Sequence, residues 1–308
     1  MKLYVGITDR DWFEHLKALG PDEVNFWKPG GSAKFRALQP GELFLFKLHA
    51  PHNYIVGGGF FVRFSILPNL LAWDTFGVLN GAPDYASFRN RIDHYRAHHG
   101  TLEINPSIGC IILNHPVFLD ERDWIPVPPD FALNIVQGKT YDTATEIGAR
   151  LWDWARVAFA TQAVEYQRRQ EIEDQPVFGD QYLVRARLGQ GAFRVSVLDA
   201  YGRRCSMTGE RTIPVLDSAH IKPVTSEGPH RVSNGLLLRS DLHILFDQGY
   251  MTVAPDYRIN VSQRIHEEFD NGKEYYALHG RELQLPERTI DRPSREFVEW
   301  HNNTVFTG

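Results

Sequence analysis

Between Cys205 and Tyr250, histidine, asparagine and aspartate stand at places that packing alone does not require. The segment reads CSMTGERTIPVLDSAHIKPVTSEGPHRVSNGLLLRSDLHILFDQGY. A strand that begins at Val215–Leu216 ends in Asp217-Ser218-Ala219-His220-Ile221, and Pro223 and Gly228 then mark a loop. Asn234 precedes a short apolar strand, Leu236–Leu238, and Ser240 is expected to cap a helix that contains His243 and Asp247. Positions 243 and 247 are i and i+4, so both side chains leave the same helix face. An imidazole and a carboxylate presented together form a reasonable ligand pair for a divalent metal. Taken singly, each histidine is more often an ordinary core or surface residue. The weight lies in the joint placement of His220, Asn234 and His243.

The order strand–His–loop–Asn–strand–helix–His, carried by AHIKP, SNGLLLRSDLH and LFDQG, resembles the HNH (ββα-metal) endonuclease family over about residues 200–262. That resemblance implies roles. His220 would act as general base on water, a task suited to an imidazole that is neutral near pH 7. Asn234 would hold the hairpin loop and orient His220. His243 would bind a divalent metal (Mg²⁺ or Mn²⁺, with Zn²⁺, Ni²⁺ or Co²⁺ as alternatives) that stabilises charge on the scissile phosphate and the leaving oxygen. Asp247 falls where some members place a second helical ligand. Many members carry Asp or His directly before the base, where this chain has Ala219. Asp217 is the candidate substitute, although strand alternation turns it to the face opposite His220. The zinc-binding CxxC pairs common in the family are missing. Cys205, in a turn with Thr208-Gly209, reads as a small buried residue, and His230 reads as a solvated or phosphate-contacting loop residue.

Upstream, the chain reads as β-rich. Lys2–Ile7, Glu42–Lys47 (ELFLFK), Tyr54–Phe64 (YIVGGGFFVRF) and Ile108–Leu113 (IGCIIL) are apolar runs of the kind that form strands. Asp11–Leu19 and Asp84–His98 are expected helices, the second with Phe88, Ile92 and Tyr95 on one face and Asp84 as its cap. Gly57–Gly58–Gly59 inside a strand signals a bulge or a close approach to the backbone. Thr143–Arg169 reads as one long helix with Ile147, Leu151, Trp154 and Ala158 on one face. Pro176 and Gly179 follow a charged stretch, which puts a domain joint near residues 165–180. Gln181–Arg187 and Phe193–Leu198 are two further segments that flank LGQGA. The expected organisation is α+β: an N-terminal domain at 1–142, a helical linker at 143–180 and a C-terminal nuclease domain at 181–308 with its core at about 205–262.

The stretch FWKPGGSAKFRALQPGELFLFKLHAPHNYIVGGGFFVRF, with WIPV at 124–127 and NIVQGKTY at 134–141, is similar to the PUA-like superfamily of small β-barrels, which includes the EVE and SRA modified-base readers. Such a reader followed by an HNH domain is the arrangement of modification-dependent restriction endonucleases. A base-flipping reader needs aromatic walls, hydrogen-bonding groups for the base edge and cations for the backbone. Candidate walls are Trp27, Tyr54, Trp73, Trp124 and Tyr141. Asn25, Asn53 and Gln137 are candidate edge readers, and Lys28, Lys34, Arg36 and Lys139 candidate phosphate contacts. Most of the seven tryptophans are expected to be core, Trp73, Trp152 and Trp154 among them.

Composition leaves this reading open. The 308 residues suffice for two domains. The net charge of −5 is not that of a strongly basic nucleic-acid binder. Basic residues nevertheless cluster at Arg185, Arg187, Arg194, Arg203, Arg204 and Arg211. Two distant cysteines exclude a four-cysteine zinc site and fit a cytoplasmic setting. The N-terminus lacks an apolar signal region, and no run reaches the roughly 18 apolar residues of a membrane span. The expectation is therefore an endonuclease for double-stranded, modified (methylated or hydroxymethylated cytosine) DNA that works as a homodimer, one active site per strand. Two other readings stand beside it. One is an HNH effector whose N-terminal domain senses a small molecule or protein; the other is a non-catalytic DNA-binding module, for which Ala219 speaks.

Overall fold

A computed structural model describes residues 1–31, 34–97, 103–170 and 189–308, apart from the side chains of 160–170. The chain divides into two units, Met1–Ala186 and Arg187–Gly308.

Seven strands of the first unit form one sheet: β1 (Lys2–Thr8), β2 (Glu23–Lys28), β3 (Leu43–Leu48), β4 (Tyr54–Pro68), β5 (Ser107–Phe118), β6 (Ile125–Pro126) and β7 (Gly138–Asp142). Their pairing order is β2-β5-β4-β3-β1-β7, with β6 added alongside β4. Among the described strands only β1 and β3 pair in parallel. This corrects the expected barrel, because β2 and β7 end the order and do not pair with each other. Burial on two sides replaces closure. Phe44 and Phe46 of β3 pack with Trp12, Phe13 and Leu16 of helix α1 (Arg10–Leu19). Leu43 and Leu45 face the other way, towards Leu151, Ala155 and Phe159 of helix α4 (Glu146–Gln170). Covering both faces explains why ELFLFK is apolar throughout rather than alternating. Between these helices in sequence come α2 (Asn69–Phe76) and α3 (Tyr85–Arg96). Asp84 caps α3 by accepting from the Ser87 amide at 2.7 Å.

The triple glycine is a place of close approach. A Cβ on Gly57 would come within 2.1 Å of the Val117 carbonyl, and one on Gly58 within 2.5 Å of the Phe44 carbonyl. The pairing of β4 with β5 also shifts register between Gly58 and Phe60. Helix α4 fully buries positions 151, 155 and 159, with Ile147 and Ala158 of the expected 147–151–154–158 face partly buried against the same core. Trp154, expected in the core, lies at the edge of this stripe, 38% exposed, with the Arg150 guanidinium 5.3 Å from its ring. Trp73 and Trp152 are half-buried. The segment Gln181–Arg187 and most of the expected joint lie outside the described residues.

The second unit opens with helix α5 (Gln190–Ala200), which contains the Phe193–Leu198 segment. Strands β8 (Leu216–His220) and β9 (Gly235–Arg239) pair antiparallel from Leu216↔Arg239 to His220↔Gly235. Helix α6 (Ser240–Asp247) follows without a loop. Leu236, Leu237 and Leu238 are all fully buried, because α5 and α6 both pack against this hairpin. Gly235 makes room for α5: a Cβ there would meet Val197 Cγ2 at 2.5 Å. Ser240 is the first residue of α6 rather than its cap, and its hydroxyl donates to the Val215 carbonyl. Beyond come β10 (Met251–Val253) paired with β11 (Ile259–Val261), α7 (Arg264–Phe269), α8 (Lys273–Tyr276) and α9 (Arg295–Thr304). Among the described residues no helix is long and apolar enough to cross a membrane.

Candidate active site

The two faces of β8 serve two different neighbours. Ser218 and His220 point towards α5, where the Ser218 hydroxyl donates to the Arg194 carbonyl at 3.0 Å and Phe193 stacks on the His220 ring at 3.9 Å and 10°. Asp217 and Ala219 lie on the other face. There Asp217 Oδ2 is 3.5 Å from His243 Nδ1 on α6. The alternation that separates Asp217 from His220 is thus what delivers it to His243. One turn on, Asp247 Oδ2 lies 3.3 Å from His243 Nε2, the contact expected of i and i+4.

Asn234 is fully buried and holds the loop between the strands. Its Oδ1 accepts from the Lys222 amide at 2.9 Å, while its Nδ2 donates to the carbonyls of Lys222 at 2.9 Å and Pro229 at 3.0 Å. Its own carbonyl accepts from the Ile221 amide. Four backbone groups on both sides of the loop are thereby tied to one residue, which fixes the backbone immediately after His220. Cys205 is buried and accepts from the Arg239 amide through Sγ, as a small packing residue does.

His230, read from the sequence as a solvated or phosphate-contacting loop residue, places its Nδ1 3.1 Å from His220 Nε2. Nothing in the sequence spacing announces this contact, because the loop path is set by Asn234. Phe193 was likewise legible only as an apolar position. Burial pushes His220 down to about 4, and the charges of His230 and His243 act in the same direction. Burial also lowers His230. Both rings are therefore neutral at pH 7.

Two donors bound to one ion at right angles, each at about 2.1 Å, stand roughly 3 Å apart. The His243–Asp217 and His243–Asp247 separations of 3.5 and 3.3 Å are near that spacing. The two carboxylates address different nitrogens of one ring, however, and an imidazole binds an ion through one nitrogen. Among the described residues no three His, Cys, Asp or Glu side chains converge as a metal group. The donor set fits an ion as a pair, completed by water and phosphate oxygens, which is how Mg²⁺ is commonly held.

Residues 205–254 match a family model described as HNH endonuclease, HNH_2. The second unit carries an HNH endonuclease domain. The chain is accordingly a nuclease, and HNH nucleases work with a divalent metal. No curated protein matches the chain. Three solved structures show distant likeness. A mutant of the ZmASCH protein from Zymomonas mobilis is 11% identical, with a TM-score of 0.32 over 50% of this chain and 98% of that one. TagI, described as a modification-dependent restriction endonuclease, is 13% identical, with a TM-score of 0.27 over 92% of this chain and 75% of that one. ScoMcrA, described as a type IV phosphorothioation-dependent restriction endonuclease, is 14% identical, with a TM-score of 0.20 over 73% and 48%.

Apart from the HNH domain, the candidate base-reading residues of the first unit fall into three groups. Asn25, Trp27 and Lys28 lie on β2. Asn25 is fully buried and donates to Asn80 Oδ1 at 2.8 Å, and Trp27 Nε1 donates to the Asn80 carbonyl at 3.0 Å. Asn25 Oδ1 is buried with no hydrogen-bond partner among the described residues. Lys28 is half-buried, and burial lowers its pKa. Tyr54 and Trp124 form the second group, ring centroids 5.9 Å apart, with Trp124 Nε1 donating to the Leu119 carbonyl. In the third, Lys139 binds Asp130 and lies over Tyr141, beside the exposed Gln137. Trp27 lies opposite Cys110, which lies opposite Ser65. From Tyr54 to Ser65 along β4 is roughly 35 Å of strand contour at about 3.3 Å per residue. Trp27 and Tyr54 thus sit towards opposite ends of β4 and do not wall one pocket.

Proposed function

We propose that the chain is a modification-dependent DNA endonuclease whose HNH domain hydrolyses phosphodiester bonds. The observation that carries the catalytic part is a neutral His220 at the end of β8 that feels the charge of His243 on α6, where Asp217 of β8 and Asp247 of α6 flank the His243 ring. His220 takes the proton of the attacking water, and Asn234 keeps the loop after it in place. His243 and Asp217 would hold the ion as a pair, with Asp247 beside the other nitrogen of the ring. When bound, the ion stabilises charge on the phosphate and on the leaving oxygen. His220 is neutral across the neutral range, so one of its two ring nitrogens has a lone pair that can take the proton of water.

The modified-base reading, with cytosine as the base, rests on the PUA-like sequence pattern. It is supported by Asn25, Trp27 and Asn80, which gather an unpartnered amide oxygen beside an aromatic ring. A buried unpaired acceptor costs free energy unless a ligand satisfies it. Cutting both strands calls for two copies, one per strand. The full chain with Mg²⁺ or Mn²⁺ should be offered matched methylated, hydroxymethylated and unmodified DNA. Cutting of a modified substrate alone is expected. Equal cutting of all three refutes the reader, and no cutting of any refutes the nuclease mechanism. The separation of Trp27 from Tyr54 favours a second reading, in which the first unit senses a small molecule or protein. That reading predicts that Trp27→Ala and Asn25→Ala leave discrimination between the three DNAs unchanged.

A further inference from the structure

His220 has one ring nitrogen engaged by protein and one that is not. Its Nε2 meets Nδ1 of His230 at 3.1 Å, with the rings inclined at 63°. Phe193 stacks beneath the ring and fixes its plane. His220 Nδ1 has no protein partner among the described residues and is not sealed from solvent. The contact between the two histidines is short enough that one hydrogen must lie between them, so one ring donates and the other accepts.

The choice of donor decides whether His220 can act. If His230 donated, the proton of neutral His220 would sit on Nδ1 and the ring's lone pair would be tied up at Nε2. Such a ring could take no proton from water. The opposite tautomer frees it. We infer that His230 is the positioning residue of the general base: its Nδ1 accepts from His220 Nε2–H, leaving the Nδ1 lone pair of His220 to take the proton from water. This rests on the reading of His220 as the base. As His220 becomes charged, its Nε2–H bond to His230 becomes charge-assisted and stronger. The partner therefore favours the protonated state formed in the reaction as well as the correct tautomer, the logic of an orienting third group behind a base.

Two substitutions separate hydrogen bonding from packing. Asn at 230 offers Oδ1 near the place of Nδ1, whereas Leu fills similar space with no acceptor. In the full chain with Mn²⁺ and a DNA that it cuts, His230→Leu should lower kcat about 10- to 100-fold with KM within twofold. His230→Asn should recover most of that loss. Nitrogen-15 shifts of His220 should report the Nε2–H tautomer in the unsubstituted chain and in His230→Asn, and a mixture in His230→Leu. A His220 protonated at Nδ1 in the unsubstituted chain overturns the inference, as do equal rates for the Leu and Asn variants. His220→Ala, run alongside, separates the two claims. Cutting that survives it overturns the base assignment and this inference with it. Cutting lost in His220→Ala but unchanged in His230→Leu overturns this inference alone.

Discussion

Replacing Asn234 by Ala removes three hydrogen bonds at once, to the Lys222 amide and to the carbonyls of Lys222 and Pro229. At a net value near 1 kcal/mol each, and with water able to reach the half-buried Lys222 and Pro229, the loss is about 2–3 kcal/mol. Because these bonds close the loop locally, the loss should be concentrated in the β8–β9 hairpin. Hydrogen exchange read by mass spectrometry over residues 216–239 should speed up roughly 30- to 150-fold. Asn234→Asp sharpens the test. It keeps an acceptor for the Lys222 amide but turns the donor that serves two carbonyls into a second acceptor, within a fully buried side chain. It should therefore destabilise the hairpin at least as much as Ala does, although it is the closer match in shape. Exchange within threefold of the unsubstituted chain for Ala, or a more protected hairpin for Asp than for Ala, would refute the view that Asn234 is the clasp of this loop.

Two other outcomes are expected. His243→Ala should abolish Mn²⁺ binding measured by calorimetry, and Asp217→Asn should weaken it about tenfold or more, with a smaller effect for the more exposed Asp247→Asn; a larger effect at Asp247 would put the ion on the Nε2 side of the ring. His301 is 2% exposed, stacks on Phe246 and is pushed down to about 4 by burial, an effect partly opposed by its hydrogen bond to the Phe246 carbonyl. Between its ordinary value of 6.5 and about 4 the unfolded chain binds a proton that the folded chain does not, so acidification through this window removes up to about 3 kcal/mol of stability, while the contribution is constant above pH 7. Urea titrations at pH 7 and pH 4.5 should show that loss, and His301→Gln should reduce it; an unchanged pH slope in the variant would contradict the assignment.

The site was legible in the sequence where its geometry is local. His243 and Asp247 share a face because a helix repeats every 3.6 residues, and Asp217 and His220 oppose each other because a strand repeats every two. That Asp217 approaches His243 depends on α6 packing across β8, which no short-range pattern encodes. His230 reaches His220 only because Asn234 bends the intervening loop. In the first unit, the apolar runs and Gly57–Gly59 announced strands and a close approach, yet closure into a barrel did not follow. Whether a sheet closes depends on what covers its faces, and the residues that matter, such as Leu43 against Phe159, are more than a hundred positions apart. Trp154 illustrates the same limit on a helix, where rotating the buried stripe by one position moves a ring from core to edge.

The central claim is that His220 activates water within a metal-dependent HNH site. The most direct measurement compares the unsubstituted chain with His220→Ala on the same DNA, with Mn²⁺ present and with the metal chelated, following both cutting and DNA binding. The account predicts Mn²⁺-dependent cutting by the unsubstituted chain and DNA binding without cutting by His220→Ala. Undiminished cutting by His220→Ala, or cutting by the unsubstituted chain that persists when the metal is chelated, would contradict it.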